Sequence, residues 1–268
     1  MSDFSAEWLA LREAADAAAR HPELTADVRA WCQRQGAALS AMDLASGTGA
    51  NVRFLAPQLG GEQHWLLVER DPVLLAHGAE LLSSVQGILD WQRLDLVSDW
   101  ERLDWRSGAL VTASALLDLV SAAWLERLAR RCRDAGAAVL IVLSYDGSVV
   151  WQPRLVEDAL VCARVNRHQR SDKGFGPALG PDAAPLLAAL LRRLGYTVKI
   201  RPSPWRLQPQ QRALQIALLH GWFEAAQQIA PTKSLEMLDW RAQRQDWIER
   251  GESRIQVGHW DIFAWLDQ

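Results

Sequence analysis

Asp43, Glu69, Asp95 and Asp118 share a placement that ordinary surface acids lack: each stands near the end of a short apolar run or just beyond it. The runs are Leu39 to Ala45, Trp65 to Val68, Gly87 to Leu94 and Ala109 to Ala113. A carboxylate in such a place offers two oxygens to hydroxyl or amino hydrogens, or to a cation. The first run continues into S-G-T-G-A-N, Ser46 to Asn51, where Gly47 and Gly49 allow a tight turn and let a ligand touch the backbone. Farther on, Tyr145 and Asp146 follow a fifth run, Ala137 to Ser144, and His168 lies in a polar stretch. An imidazole there can take a proton from a hydroxyl or an amine near neutral pH.

A Gly-rich turn after a strand has three common uses. A phosphate-binding P-loop needs a Lys after its last Gly, and none follows Gly49. A dinucleotide turn wants a third small residue, and Val52 stands where it would fall. The third use is to hold a ligand without phosphate, through backbone contacts and acids at the strand ends.

These residues need a scaffold that presents strand ends together. Helical spacing predicts helices over Ala50 to Leu59, Pro72 to Ser83 and Leu116 to Asp134, alternating with the five runs. Apolar strands separated by helices imply an α/β fold with a doubly wound parallel sheet. Two N-terminal helices, Ser5 to Arg20 and Glu23 to Gln35, precede it, and Asp71 before Pro72 reads as a helix N-cap. Beyond the fifth run the pattern predicts a helix over Pro153 to Val165 and an irregular loop, Asn166 to Pro181. A helix over Asp182 to Leu194, a strand over Tyr196 to Arg201, helices over Pro209 to Ile229 and Ser234 to Arg250, and a last strand or hairpin follow. With no repeat and no linker, the chain reads as a single domain over 1–268: a helical cap at 1–36, a binding core at 37–145, and insertions at 146–182 and 208–250.

D-L-A-S-G-T-G, Asp43 to Gly49, resembles the first motif of class I S-adenosylmethionine-dependent methyltransferases, with Ala45 where most members carry the first glycine. L-L-V-E-R-D-P, Leu66 to Pro72, is similar to the end of that family's second strand, R-L-D-L, Arg93 to Leu96, to the end of its third, and V-T-A-S-A-L-L-D, Val111 to Asp118, to its fourth. The resemblance implies a Rossmann-like, seven-stranded, mostly parallel sheet with an antiparallel last strand drawn from Arg250 to Leu266. It implies S-adenosylmethionine as cofactor, cradled by Ala45, Gly47, Gly49 and Asn51. Asp43 would hold the methionine amino group, Glu69 the ribose hydroxyls and Asp95 the adenine amine, with Leu96 on the ring and Ala113 and Ser114 by the sulfonium. No Asn/Asp-Pro-Pro-aromatic motif follows the fourth run, where Ser114 to Leu117 reads S-A-L-L, which disfavours the amino-methylating nucleic-acid enzymes of this kind.

Ligands of open parallel sheets lie beyond the carboxyl ends of the strands, so the methyl acceptor is expected near Asp118, Tyr145 and the 166–181 loop. His168 is the best candidate for a general base; the alternatives are an ordinary loop histidine and a transfer that uses no dedicated base. Arg170 and Lys173 suit an acidic acceptor, Asp118 and Asp146 a cationic one, and the sequence leaves that choice open. Arg12, Asp16 and Arg20 lie four apart: either a surface ladder of ion pairs or a helix that caps the cofactor and sends an arginine to its carboxylate.

The net charge of −3 gives no field for a polyanion, so nucleic acid is not an expected partner. Three scattered cysteines, Cys32, Cys132 and Cys162, predict reduced thiols and neither a disulfide frame nor a metal site. With no signal-peptide pattern and no membrane-length run, a cytoplasmic monomer or homodimer is expected. An oxidoreductase using NAD(P), a methyltransferase acting on a macromolecule and a cofactor-binding partner without catalysis are the rival readings. Trp151, Trp205 and Trp222, among 14 tryptophans, fall on the expected substrate side.

Overall fold

In a computed structural model, which describes residues 4–36, 38–230 and 235–267, the chain forms an α/β sandwich. Strands β1 (Leu39–Leu44), β2 (Gln63–Glu69), β3 (Ile88–Arg93), β4 (Leu110–Ser114), β5 (Ala138–Gln152), β6 (Thr197–Pro202), β7 (Trp205–Leu207) and β8 (Arg254–Trp265) make one eight-stranded sheet. Its continuous path runs β3-β2-β1-β4-β5-β8-β6, seven strands as expected, and the short β7 is added where it pairs with β8. From β3 to β5 all pairs are parallel, and β8 is antiparallel to β5, β6 and β7.

Alternation along the strands divides the core. Met42, Leu44, Val111, Ala113, Val139 and Ile141 face α5 (Ala122–Asp134) and α7 (Ala183–Arg193). Ala41, Leu67, Leu110, Leu140 and Val142 face α2 (Pro22–Gln35) and α3 (Ala50–Leu59). Burial on both faces is why these strands read as unbroken apolar runs. A third cluster packs the far half of β5 with β7, α1 (Ala6–Ala19), α6 (Asp158–Gln169), α8 (Arg212–Ile229) and α9 (Leu235–Glu249). Trp151, Trp205 and Trp222 all belong to that cluster, and Trp151 meets Trp222 edge to face at 5.3 Å, so they serve packing.

Local chemistry sets the boundaries. Ser5 accepts from Trp8 N at 3.1 Å to start α1. Asp71 accepts from Val73 N at 2.8 Å to start α4 (Pro72–Leu81), as its place before Pro72 implied.

Two expectations are corrected. The helix expected from Leu116 starts at Ala122, because Ser121 caps it and Leu117–Leu119 forms a separate 3-10 turn. The irregular 166–181 loop starts later, since Asn166 to Gln169 complete α6, and a bridge between Asp172 and Pro177 folds the remainder into a short hairpin. The sheet of the 37–145 core is completed by β6 and β8 from the later part of the chain. The expected start of the last helix at Ser234 and the core boundary at Ala37 lie outside the described residues. Cys132 is buried and Cys32 and Cys162 half-buried, all as free thiols. No helix among the described residues is long and apolar enough to cross a membrane.

Candidate functional site

The turn after β1 is built from left-handed residues: Ala45 at φ 51°, Gly47 at 55° and Gly49 at 78°. Only glycine adopts this region without steric cost, so Ala45 holds a strained conformation at a position where a glycine would be relaxed. Ala115 (φ 52°), just past β4, and Leu143 (φ 55°), in β5, are the other non-glycine residues of this kind among those described. Ala45 and Ala115 follow the ends of β1 and β4, and Leu143 lies within β5 just past its last pair with β4, where its register with β8 shifts; strain of this sort concentrates at functional sites.

Glu69, at the end of β2 and buried, fixes the turn. Its Oε2 accepts from Gly47 N at 2.9 Å, and its Oε1 accepts from Arg70 N and Asp71 N at 2.8 and 2.9 Å. A carboxylate has about four acceptor positions, so these three bonds leave about one for a ligand. Helix α1 lies over the turn: a Cβ on Gly47 would stand 2.9 Å from Leu9 Cδ1.

Asp43 points to the α3 side of the sheet, where its Oδ1 accepts from Asn51 Nδ2 at 2.7 Å and Thr112 Oγ1 at 2.5 Å. Burial pushes its carboxyl up to about 6, against the lowering effect of those bonds and of Arg20. Asn51 passes the contact on, since its Oδ1 accepts from Arg20 Nη1 at 2.7 Å. Arg20 and Arg12 are buried, so the surface-ladder reading of α1 is overturned. Arg12 forms a bidentate pair with Asp16 at 2.9 and 3.1 Å, and Asp16 also accepts from Trp205 Nε1. Arg20 instead turns to Asn51, lies over the Phe54 ring and stands 4.0 Å from Asp261. Its Nε is buried without a hydrogen-bond partner, and the side chain lines a cavity of about 390 Å³ together with Asn51 and Ser114.

Asp95, past β3, is tied to its own turn through Val97 N at 2.7 Å and Ser98 N at 3.3 Å on Oδ1. Its Oδ2 stands 3.7 Å from Arg70 Nη1 and remains in reach of solvent. Leu96 is buried in the core, and its carbonyl accepts from Trp124 Nε1 at 3.0 Å. Trp124 in turn meets Phe175 of the 171–177 hairpin edge to face at 5.4 Å. Of the two residues expected beside a sulfonium, Ser114 reaches the cavity wall, whereas Ala113 is wholly buried against the α5 side.

Asp118, Tyr145 and His168 form a second group past β4 and β5. Asp118 is buried, and that burial pushes its carboxyl up to about 6, opposed by backbone hydrogen bonds and by the charges of Arg12 and Lys173. Tyr145 is buried, donates to Asn166 Oδ1 at 2.9 Å, and has its phenol pushed upward by burial. His168 is on α6, half-buried, with Nε2 2.9 Å from Gln228 Oε1 and Nδ1 3.4 Å from Lys173 Nζ. Burial and the Lys173 charge hold its imidazole below the usual range, which favours the neutral ring. Lys173 therefore stands between His168 and Asp118. Two other polar residues are already engaged: Asp146 accepts from Ser148 N and Oγ, and Arg170 pairs with Asp182 at 2.8 Å.

Sequence reasoning missed Thr112, His259 and Asp261. Asp261 accepts from His21 N, Leu143 N and Ser203 Oγ, which joins α2, the strained turn of β5 and the loop after β6. His259 is buried between Tyr145 and Trp205, with burial pushing its pKa down to about 3 and leaving it uncharged. The signal for Asp261 was present, an acid inside the apolar run Trp260 to Phe263; Thr112 and His259 become visible only through cross-strand neighbours.

No family model and no curated protein matches this chain. Among solved structures, it is similar to the YcgJ protein from Bacillus subtilis at 11% identity, over 87% of this chain and 94% of that one, with a TM-score of 0.52. It is also similar to a SAM-dependent methyltransferase from Thiobacillus denitrificans in complex with S-adenosyl-L-homocysteine, at 16% identity over 99% and 100% of the chains and a TM-score of 0.46. The cyclopropane synthase MmaA2 from Mycobacterium tuberculosis matches at 12% identity over 98% and 87%, TM-score 0.46. At this level of identity the likeness concerns the fold, which this chain shares with YcgJ.

Proposed function

We propose that this chain is an S-adenosylmethionine-dependent methyltransferase acting on a small molecule. The observation that carries the proposal is the buried Glu69 carboxylate at the end of β2, locked to the amide of Gly47 in the left-handed turn after β1. That arrangement fits a nucleotide with a ribose hydroxyl donating to the remaining acceptor position of Glu69. Asp95 Oδ2, in reach of solvent beside Leu96, suits an exocyclic amine. Arg20, whose Nε makes no hydrogen bond and stands 4.0 Å from Asp261 Oδ2, lines the cavity beside Ser114 and suits a carboxylate, and Asp43 behind Asn51 supports an amino group's charge. The cofactor, when bound, supplies an activated methyl group on a sulfonium.

The chain's own task is alignment and water exclusion, because displacement at that carbon demands little beyond an in-line nucleophile. Leu9 and α1 cover the turn from above. The acceptor sits beside Asp118, Tyr145 and His168, with neutral His168 as its base; Nδ1 faces Lys173 Nζ at 3.4 Å and Nε2 meets Gln228 Oε1 at 2.9 Å, so the acceptor must displace one of these contacts to give up its proton. Calorimetry with S-adenosylhomocysteine against NADH tests the cofactor assignment, and preference for NADH would replace it with a nicotinamide-dependent oxidoreductase. A metabolite-pool assay for a mass gain of one methyl group tests the reaction. Label passing instead into protein or RNA would point to a macromolecular acceptor, and binding without turnover to a non-catalytic partner.

A further inference from the structure

A groove of about 610 Å³ lies away from the strand-end turn, between the far half of β5, the 153–157 loop and α6. Its walls are mostly apolar, with Val149, Val150, Leu155, Val156, Ala159 and Ala163 among them. Val156 is 92% exposed, and Val150 of the same lining is exposed too. A cluster of bare aliphatic groups around a concave surface marks a binding site, because water is a poor neighbour for it.

Two charged side chains line the groove, Arg154 and Asp158. Asp158 is fully engaged: Arg244 Nη2 donates to both of its oxygens at 2.6 Å, and Trp240 Nε1 and Leu155 N donate at 2.9 Å. Arg154 is exposed and makes no hydrogen bond or ion pair with any described residue. The groove therefore presents one uncompensated positive charge on an apolar surface.

The backbone decides between kinds of occupant. Past Val142, β5 pairs with β8 on one side and with no strand among the described residues on the other. Such an edge would ordinarily invite a peptide or a second copy to add a strand. Here α6 has capped it, with Asn166 Nδ2 donating to Gly147 O at 2.8 Å, Cys162 Sγ donating to the same oxygen at 3.3 Å, and the Cys162 sulfur meeting the backbone of Val149. An incoming strand would find Gly147 O and the Val149 backbone already engaged, whereas a hydrocarbon chain needs neither.

We infer that the groove is a binding site for a single-chain anionic amphiphile of fatty-acid type, with its chain along the α6 wall and its acid head on Arg154. The inference does not rest on the methyl-transfer reading, since it uses only the groove's own lining, although Asn166 of that lining also accepts from Tyr145.

Calorimetry of the full chain with dodecanoate, and with dodecyltrimethylammonium as the cationic counterpart, both below their micellar concentrations, tests it. Dodecanoate should bind saturably, one per chain, with the cation at least about tenfold weaker. Arg154→Glu should weaken dodecanoate by about tenfold or more, and Ala163→Trp, which fills the groove, should abolish binding. Should Ala163→Trp fail to fold, Val156→Asp at the exposed rim replaces it, with the same loss expected. No saturable binding, equal affinity for the two probes, or dodecanoate binding unchanged by the variants would overturn the assignment. So would sedimentation showing a dimer that Val156→Asp dissociates, which would make a second copy the occupant.

Discussion

Arg20 Nη1 donates to Asn51 Oδ1 at 2.7 Å, and the same amide donates onward to Asp43 at 2.7 Å, so a helix outside the sheet is tied to the acid inside its first strand. An amide that accepts from a cation and donates to an anion has one favourable orientation, which fixes both partners. Arg20→Met removes the cation and leaves Asp43 buried without it. The expected loss is about 3–5 kcal/mol of stability, the usual cost of breaking a buried charge network from one side. Urea unfolding monitored by circular dichroism measures it.

Glu69→Gln separates the two jobs of that carboxylate. The amide keeps one acceptor oxygen and cannot hold Gly47 N along with Arg70 N and Asp71 N as the carboxylate does. Calorimetric affinity for S-adenosylhomocysteine should fall by about tenfold or more, with about 1–3 kcal/mol lost from stability for the amide left unpaired. Unchanged affinity would place the ribose elsewhere.

Ala45→Gly should raise stability. At φ 51° an alanine Cβ crowds the following carbonyl, a cost of about 1–2 kcal/mol that glycine escapes, partly offset by the larger entropy of glycine in the unfolded chain. A melting temperature higher by a few degrees is the expected reading. A lower one would mean that the methyl group packs in a way that compensates its strain.

The sequence made the strand-end acids legible because alternation and apolar runs report burial directly. Asp43 to Gly49 and Asp71-Pro72 could be placed from local rules alone. The fate of Arg12 and Arg20 could not: their four-residue spacing suits a surface ladder equally well, and what buries them is contact with Trp205, Phe54 and Asn51, distant in sequence. His168 was placed in a loop because Asn166 to Gln169 are polar, yet contacts from α6 to α8, such as His168 with Gln228, carry the helix through them. Asp261 escaped for the opposite reason, since a single acid in an apolar strand is visible but its partners at His21, Leu143 and Ser203 are not.

Trp124 links Leu96 to the 171–177 hairpin that carries Lys173. Phe175→Ala removes the edge-to-face contact, worth about 0.5–1.5 kcal/mol beyond its buried area. Faster hydrogen exchange in residues 171–177 is expected, with S-adenosylhomocysteine affinity little changed. Unaltered exchange would show that the Asp172 to Pro177 bridge holds the hairpin without the ring.

The pH dependence follows from two buried carboxyls. Asp43 and Asp118 are each pushed by burial from an ordinary 3.8 to about 6 in the folded chain. Between those values the folded protein holds protons that the unfolded chain has released, so these two groups lower stability as pH rises from about 4 to about 6, and the loss is complete above it. Function runs the other way. In the proposed cofactor site Asp43 would support a cationic amino group only when ionised, so S-adenosylhomocysteine affinity should weaken as pH falls through about 6. Asp43→Asn should flatten that affinity profile and raise stability near neutral pH relative to its effect at pH 4, provided the amide keeps its bonds to Asn51 and Thr112. Calorimetry at pH 5 and pH 7.5, beside urea unfolding at pH 4 and pH 7, checks both signs. If the two profiles move in the same direction, Asp43 supports the fold alone and the ligand's amino group is held by another residue.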